Sequence, residues 1–381
     1  MKLLYLITED WFFCSHFMDR AMAAKAAGYD VLVVTRVVNK GPQILKAGLR
    51  LMHLPLGRRS LNPFSAVWSM LRLAQIYVRE RPDLVQHIAM KPIFLGTLAA
   101  RLVGIRGVVN APVGMGFVFT SKGLLATVLR PLFGVLMHSL LNPRGSKVIL
   151  ENADDCAAMV KSHYAKEQDI RLIRGAGVDI DEFKPAIRTH EGVVVMLVAR
   201  LLWDKGVGEF VEAARLLRTN NPHARFVLVG SPDSQNPANI PQDQLDTWRA
   251  QGDVELWGYQ ENMPEIWAQA DIACLPSYRE GLPKSLIEAL ATGLPCVTTD
   301  VPGCREVVAP GVNGLLVPAR AVEPLVRALQ SLIDSPGLRE EMGRKGRQRA
   351  VAEFSSNRVI RETLSVYQAM LEEIEVSGAG R

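Results

Sequence analysis

The sequence predicts an α/β protein made of two Rossmann-like domains, each a doubly wound parallel sheet, facing a cleft. Three observations carry this prediction. Apolar runs of strand length alternate with stretches of helical periodicity, the alternation occurs in two separate series, and a glycine-rich joint divides them. A chain of 381 residues has ample core for two such domains.

In the first series the apolar runs are Leu3–Thr8, Val31–Thr35, Leu51–Leu54, Leu84–Ile88, Val108–Asn110 and Val148–Leu150. Helical periodicity lies between them, near 14–27, 62–80, 91–103, 122–141 and 153–164. The joint is Arg174-Gly-Ala-Gly-Val-Asp-Ile-Asp-Glu-Phe-Lys-Pro185, a turn-rich stretch followed by charge and proline. The second series opens with Val193–Ala199 and continues with strands at 226–229, 254–257, 271–275 and 294–299. Its helices are expected at 206–218, 242–250, 263–269 and 283–291. Domains are accordingly expected at 1–178 and 179–355. Residues 356–381 form a tail whose helix carries Val359, Ile360, Leu364, Tyr367 and Leu371 on one face.

Composition excludes several classes. Hydrophobic residues at 48% and charged residues at 22% are those of a water-soluble globular chain. The longest stretch free of Lys, Arg, Asp and Glu is Gly107–Ser121, too short and too broken by Gly and Pro to span a bilayer. The amino terminus opens on a strand with no signal-peptide pattern, so a cytoplasmic protein is expected. Five scattered cysteines without C-x-x-C spacing fit buried thiols in a reducing compartment rather than disulfides or a zinc site. Charge is uneven. Residues 1–150 hold 19 Lys/Arg against 6 Asp/Glu, and no acidic residue occurs from Leu84 to Leu150. An anionic membrane surface, met through this basic N-terminal half, fits the interleaving of basic and apolar residues. No nucleic-acid-binding motif accompanies the charge, and nucleic acid is not expected as a partner.

The stretch from Leu275 to Ala291 carries the chemistry. A buried strand leads into a loop with Glu280 at its tip, then a helix beginning near Pro283 with Glu288 inside it. Carboxylates accept from sugar hydroxyls and a helix N-terminus holds phosphate, so the pair at a strand's C-terminal edge suits a nucleotide-sugar. At this spacing alone the two glutamates read rather as a surface loop residue and a solvated helix face, and it is the rest of the chain that reverses the preference. Earlier in the chain, Ala199-Arg-Leu-Leu-Trp-Asp-Lys-Gly206 places Arg200 and Lys205 at a corresponding edge, where cations stabilise a departing diphosphate. Asp179-Ile-Asp181 has metal-binding spacing but falls in the joint, and reads as hinge. Gly206-Val-Gly208 lacks the third glycine of a dinucleotide fingerprint, so a nicotinamide cofactor is not expected.

Glu280-x7-Glu288 with Arg200-x4-Lys205-Gly206 resembles the signature of the retaining glycosyltransferases of family 4, which have the GT-B fold. The resemblance covers nearly the whole chain and is strongest from Val193 to Pro318. It implies catalytic roles for Glu280, against the transferred sugar, and for Arg200 and Lys205, on the donor diphosphate. Glu288 is implied to accept from the ribose hydroxyls, and the segment Gly281, Leu282, Pro283, Lys284 and Ser285 to bind the donor. No protein nucleophile, metal or cofactor is implied, since the leaving phosphate takes the acceptor's proton. The last helix is implied to cross back to the first domain.

The first domain is expected to bind the acceptor. Its Phe12-x-x-Ser15-His16, Gln86-His-Ile-Ala-Met-Lys-Pro92, Gly114-Met-Gly-Phe-Val-Phe-Thr-Ser121 and the later Pro302-Gly-Cys-Arg-Glu306 are similar to a subgroup that transfers sugars to polyprenyl-diphosphate carriers. Ser15, His16, His87 and Lys91 are the acceptor-side candidates. The glycine-rich loop many members carry after strand one is absent here. The apolar segment 122–141 suits either a helix partly inserted in a membrane interface or a core helix kinked at Pro131. The expected activity is therefore transfer of a sugar, from a donor expected to be UDP-linked, to a lipid-linked saccharide or polyprenyl diphosphate in surface-polysaccharide synthesis, at the inner face of the cytoplasmic membrane. Two alternatives stand beside it: a nucleotide-sugar epimerase on a similar fold, and a non-catalytic two-lobed sugar-binding protein.

Overall fold

The computed structural model describes residues 1–57, 62–113, 134–186 and 190–379. The Gly114–Ser121 motif and residues 122–133 of the expected apolar helix lie outside the described residues. The chain forms two compact units, Met1–Ala176 with Asn357–Arg381, and Gly177–Ser356.

The first unit holds seven strands: β1 (Lys2–Glu9), β2 (Asp30–Arg36), β3 (Arg50–His53), β4 (Leu84–Ile88), β5 (Gly107–Ala111), β6 (Lys147–Leu150) and β7 (Ile170–Leu172). They form one sheet in the order β3-β2-β1-β4-β5-β6-β7, with every pairing parallel. Parallel strands covered on both faces read as continuous apolar runs, which is why β1 and β4 are buried almost end to end. On one face, Leu4, Leu6, Val34 and Val85 pack against Leu73 and Tyr77 of helix Pro63–Glu80 and Leu95 and Ala99 of helix Met90–Val103. On the other, Leu3, Tyr5 and Ile7 meet Phe13, Phe17, Ala21 and the C-terminal helix Ser356–Ala379. That last helix joins the unit through Val359, Val366, Tyr367 and Met370. The Tyr367 hydroxyl sits 2.9 Å from that of Tyr5 and donates to Gln86 Oε1.

Local signals set the helix ends. Asn62 accepts from Phe64 N at 2.9 Å and Asn152 from Asp155 N at 2.8 Å, each satisfying an N–H that the first turn leaves unpaired. The helix expected over 14–27 is instead two, Asp10–His16 and Met18–Ala26, broken at Phe17. It starts early because buried Asp10 is fixed by accepting from the N–H groups of Val38, Asn39 and Lys40 at 2.7–2.9 Å. Of the segment 122–141, the described end 134–141 buries Met137, Leu140 and Leu141 in the core.

The second unit carries β8 (Val193–Val198), β9 (Ala224–Val229), β10 (Glu255–Gly258), β11 (Ile272–Leu275), β12 (Cys296–Thr299) and β13 (Gly314–Val317). Their order is β10-β9-β8-β11-β12-β13, again all parallel. The chain reverses direction of sheet growth at β8: β9 and β10 build out on one side, β11 to β13 on the other. Such a switch point opens a crevice at the C-terminal ends of the two adjoining strands, here β8 and β11. In the first unit the corresponding point lies between β1 and β4. Helices Val322–Asp334 and Pro336–Glu353, strands β7 and β13 and the short helix Gly41–Lys46 stand beyond the elements expected from the sequence.

Candidate active site

The two loops at the switch point of the second sheet are tied together by their backbones. The loop leaving β8 makes a short 3-10 turn, Trp203–Lys205, that ends on Gly206 at φ 70. A side chain at Gly206 would collide with Pro276, coming 2.6 Å from its carbonyl carbon, so glycine is what lets this loop lie against the one leaving β11. The Asp204 carbonyl accepts from Tyr278 N at 2.9 Å and from Ser277 Oγ at 3.0 Å. Ser277 Oγ also reaches the Arg279 carbonyl at 3.2 Å, and Thr299 Oγ1 of β12 donates to the Ser277 carbonyl.

This stitching brings Lys205 and Glu280 together. Lys205 Nζ lies 2.5 Å from Glu280 Oε1, and the carboxylate side chain keeps only 10% of its exposure. Arg200, on the same loop as Lys205, is exposed and donates to Asp233 Oδ2 at 2.7 Å. Behind Glu280 stands Gly303, at φ 79, where a Cβ would come 2.7 Å from the Glu280 carbonyl oxygen and closer still to that of Gly281. Gly303 therefore lets the turn that follows β12 lie against the glutamate loop. The Cys304 thiol beside it is buried, and burial pushes it up to about 12, so it stays protonated in this setting.

The helix after the loop runs Lys284–Ala291, with Pro283 as its cap residue rather than its first turn. Gly281, Leu282 and Pro283 form the approach, and Lys284 and Ser285 open the helix, so its leading N–H groups stand at the sheet's C-terminal edge. Glu288 sits one turn in and is almost fully buried. Its Oε2 accepts from Trp267 Nε1 at 3.2 Å, and Lys284 Nζ lies 3.6 Å from Oε1. Burial raises its pKa, opposed by Lys284 and the Trp267 hydrogen bond.

Ser15, His16 and Lys91 lie on the helices that follow β1 and β4, at the switch point of the first sheet, but they differ in access. Ser15 is exposed and His16 half-buried on helix Asp10–His16. Lys91 is half-buried and donates to the Gly57 carbonyl at 2.5 Å, and burial lowers its pKa. His87 is different: the structure places it in the core. Its Nδ1 lies 2.9 Å from Asn110 Oδ1 and its Nε2 3.0 Å from the Tyr77 hydroxyl. Asn110 Nδ2 donates to the Leu141 carbonyl, which leaves Oδ1 to accept, so His87 carries its proton on Nδ1 and is neutral. Burial lowers its pKa to about 4. The reason is register: His87 is an interior position of β4 facing helix Met90–Val103, not an edge residue. Sequence reading also passed over Ala89, which follows β4 at φ 74 and ψ 161, a region that non-glycine residues enter only at a cost of about 1–3 kcal/mol. Strain of that kind concentrates at functional sites, and no local sequence signal announces it.

Two doubly wound parallel sheets are the architecture of the GT-B glycosyltransferases. Comparison with known proteins agrees. A family model described as glycosyl transferase 4-like matches residues 2–151, and one described as glycosyl transferases group 1 matches residues 179–349. The N,N'-diacetylbacillosaminyl-diphospho-undecaprenol alpha-1,3-N-acetylgalactosaminyltransferase of Campylobacter jejuni is 27% identical over 94% of this chain and 96% of its own. The UDP-Gal:alpha-D-GlcNAc-diphosphoundecaprenol alpha-1,3-galactosyltransferase of Escherichia coli is 25% identical over 80% of each chain. Among solved structures, the sucrose-phosphate synthase of Thermosynechococcus elongatus superposes with a TM-score of 0.80 at 18% identity, over 98% of this chain and all of its own. The chain belongs to the group 1 glycosyltransferases with a family 4-like N-terminal region, and is an enzyme of that class. That assignment displaces both the epimerase and the sugar-binding alternatives. Among the described residues no helix is long and apolar enough to cross a membrane.

Proposed function

We propose that this enzyme moves a sugar from a UDP-linked donor to an undecaprenyl-diphosphate-linked saccharide in surface-polysaccharide synthesis, with retention at the anomeric carbon. The observation that carries the reading is the Lys205–Glu280 pair at the switch point, with Arg200 on the same loop. A carboxylate held beside a cation suits a substrate that is neutral and hydroxyl-rich at one end and a diphosphate at the other. The donor and acceptor classes follow the names of the two bacterial relatives, one using UDP-Gal and both acting on diphosphoundecaprenol-linked sugars.

In this reading the second unit binds the donor. Lys205 and Arg200 draw the diphosphate and stabilise the charge that grows as the sugar–phosphate bond lengthens, an effect that a preorganised donor typically makes worth about 10²–10³ in rate. Binding of the diphosphate frees Glu280 from Lys205 to meet sugar hydroxyls and the oxocarbenium-like centre. The segment Gly281–Ser285 presents backbone N–H groups to phosphate, and Glu288 accepts from ribose once its Lys284 contact yields. The departing phosphate oxygen takes the acceptor hydroxyl's proton, so the chemistry runs without a protein nucleophile or a metal. The first unit takes the acceptor, through Ser15, His16 and Lys91, with His87 acting from the core to hold β4. The protein works peripherally on the cytoplasmic leaflet, its basic N-terminal half against anionic lipid.

The test is nucleotide release from a panel of UDP-, GDP- and ADP-sugars, with detergent-dispersed undecaprenyl-diphosphate sugars as acceptors. Acceptor-dependent release from one UDP-sugar, lost in Glu280→Ala and surviving EDTA, supports the reading, and the anomeric configuration of the product decides retention. Release that needs a divalent metal, or an inverted product, overturns the corresponding part.

A further inference from the structure

The helix Pro63–Glu80 has two apolar faces, and only one is used by the fold. At about 100° per residue, Leu73 and Tyr77 point to one side, where they are fully buried against the first sheet. Phe64, Val67, Trp68, Leu71 and Val78 fall on the opposite side, within roughly a third of the helix circumference. All five are exposed, Phe64 at 83% and Leu71 at 52%. A soluble helix of this length normally turns charge to water on that side, and an apolar stripe, here with exposed Gln75 between Leu71 and Val78, marks an interaction surface.

The charges around the stripe are of one sign. Arg72 stacks over the Trp68 ring at 5.3 Å, and Arg79 lies one turn pair further along the same edge. The helix contains one acid, Glu80, which is buried and held by Arg50 at 2.6 Å and Arg79 at 3.1 Å, so it presents no negative charge outward. Helix Met90–Val103, packed on the same face of the sheet, adds exposed Leu98 and Leu102 with Arg101 between them in sequence and no acid at all. Aromatic and aliphatic side chains bordered by arginine, with anionic groups withdrawn, complement a lipid interface carrying negative headgroups.

We infer that the outer face of helix Pro63–Glu80 is the membrane-docking surface of this enzyme, seating Phe64, Val67, Trp68 and Leu71 among the headgroups of an anionic bilayer. The inference rests on the proposed use of a lipid-linked acceptor and specifies the surface that brings the enzyme to it. No stripe residue is itself given a role in transfer, so docking and chemistry separate experimentally.

The experiment floats the full-length protein with vesicles of phosphatidylcholine alone, or of phosphatidylcholine with about one third phosphatidylglycerol. The Phe64→Glu/Leu71→Glu double variant is run in parallel, and Trp68→Ala/Arg72→Ala serves as a milder second. Thermal melts confirm that each remains folded, and transfer to a detergent-dispersed acceptor is measured on the same preparations. The wild type is expected to float with the anionic vesicles, less so as salt rises, and the double variant to lose about tenfold or more of that partition. Turnover in detergent stays unchanged. The inference falls if the wild type ignores anionic vesicles, or if the glutamates leave flotation intact. It falls equally if they convert a dimer to a monomer without affecting flotation, since the stripe would then belong to a second copy. Failure of transfer in detergent by the wild type would instead count against the proposed acceptor, while leaving the flotation result to decide docking.

Discussion

Gly303 offers a direct way to test whether the glutamate loop is held where the chemistry needs it. Gly303→Ala introduces two costs. The backbone there, at φ 79 and ψ −49, lies in the strained γ-turn region and disfavours any L side chain by about 1–3 kcal/mol. The new Cβ also meets the Glu280 carbonyl oxygen at 2.7 Å, with the Gly281 carbonyl nearer still. Backbone carbonyls cannot rotate away as a side chain does, so the overlap adds about 1–3 kcal/mol and is relieved by moving the loop. With Glu280 in its proposed role against the transferred sugar, a displacement of several tenths of an ångström should lower the turnover number about tenfold or more. Gly311→Ala is the control: its φ is 75, but a Cβ there has no atom within 4 Å. That variant should lose only about 1 kcal/mol and turn over normally. Urea midpoints and nucleotide release at saturating donor and acceptor give both quantities. If Gly303→Ala costs no more stability than Gly311→Ala and keeps wild-type turnover, the supporting role assigned to Gly303 is wrong.

Three further outcomes are expected. Arg200→Ala should lower turnover about 10²–10³-fold while moving the unfolding midpoint little, because its pair with Asp233 is solvent-exposed; steady-state kinetics beside a melt checks both. His87, neutral in the folded state with its pKa lowered to about 4, takes up a proton more readily when unfolded. The unfolded state therefore binds more protons between roughly pH 6.5 and 4, and stability falls with pH across that window by up to about 3 kcal/mol. Urea titrations at several pH values should show a steeper acid loss in the wild type than in His87→Gln, and equal slopes would refute the assignment. Tyr367→Phe removes the donor to Gln86 and the contact to Tyr5, leaving buried polar groups unpaired at about 1–3 kcal/mol, and amide exchange should rise first in helix Ser356–Ala379.

Much of this protein is local in origin and therefore readable along the chain. The apolar runs that became β1, β4, β8 and β11 have the length and continuity of parallel strands buried on both faces, and need no distant information. Arg200 and Lys205 follow from one strand–loop–helix unit, residues 193–218, and Glu280 and Glu288 from another, residues 272–291. Elements at the end of the second unit were harder to see. Helix Pro336–Glu353 buries Met342, Gly343, Gly346 and Ala350, so its contact face is made largely of small residues and carries almost no apolar periodicity. His87 misleads for a related reason: a histidine in a strand looks the same in sequence whether its ring meets solvent or a Tyr77–Asn110 pair.

The sequence by itself determined the central strands of both sheets, most of the helices between them and the charged residues at the strand ends. Tertiary structure alone decided which of these meet. Lys205 and Glu280 are 75 residues apart, and they touch because β8 and β11 are neighbours while β9 and β10 lie on the far side. The same holds for Gly303 against the glutamate loop, for His87 in the core, and for the unused apolar face of helix Pro63–Glu80. Periodicity records which side chains leave water, since that depends on geometry within one element. Which element covers them, and which is left uncovered, depends on strand order, and strand order is set by packing across the whole sheet.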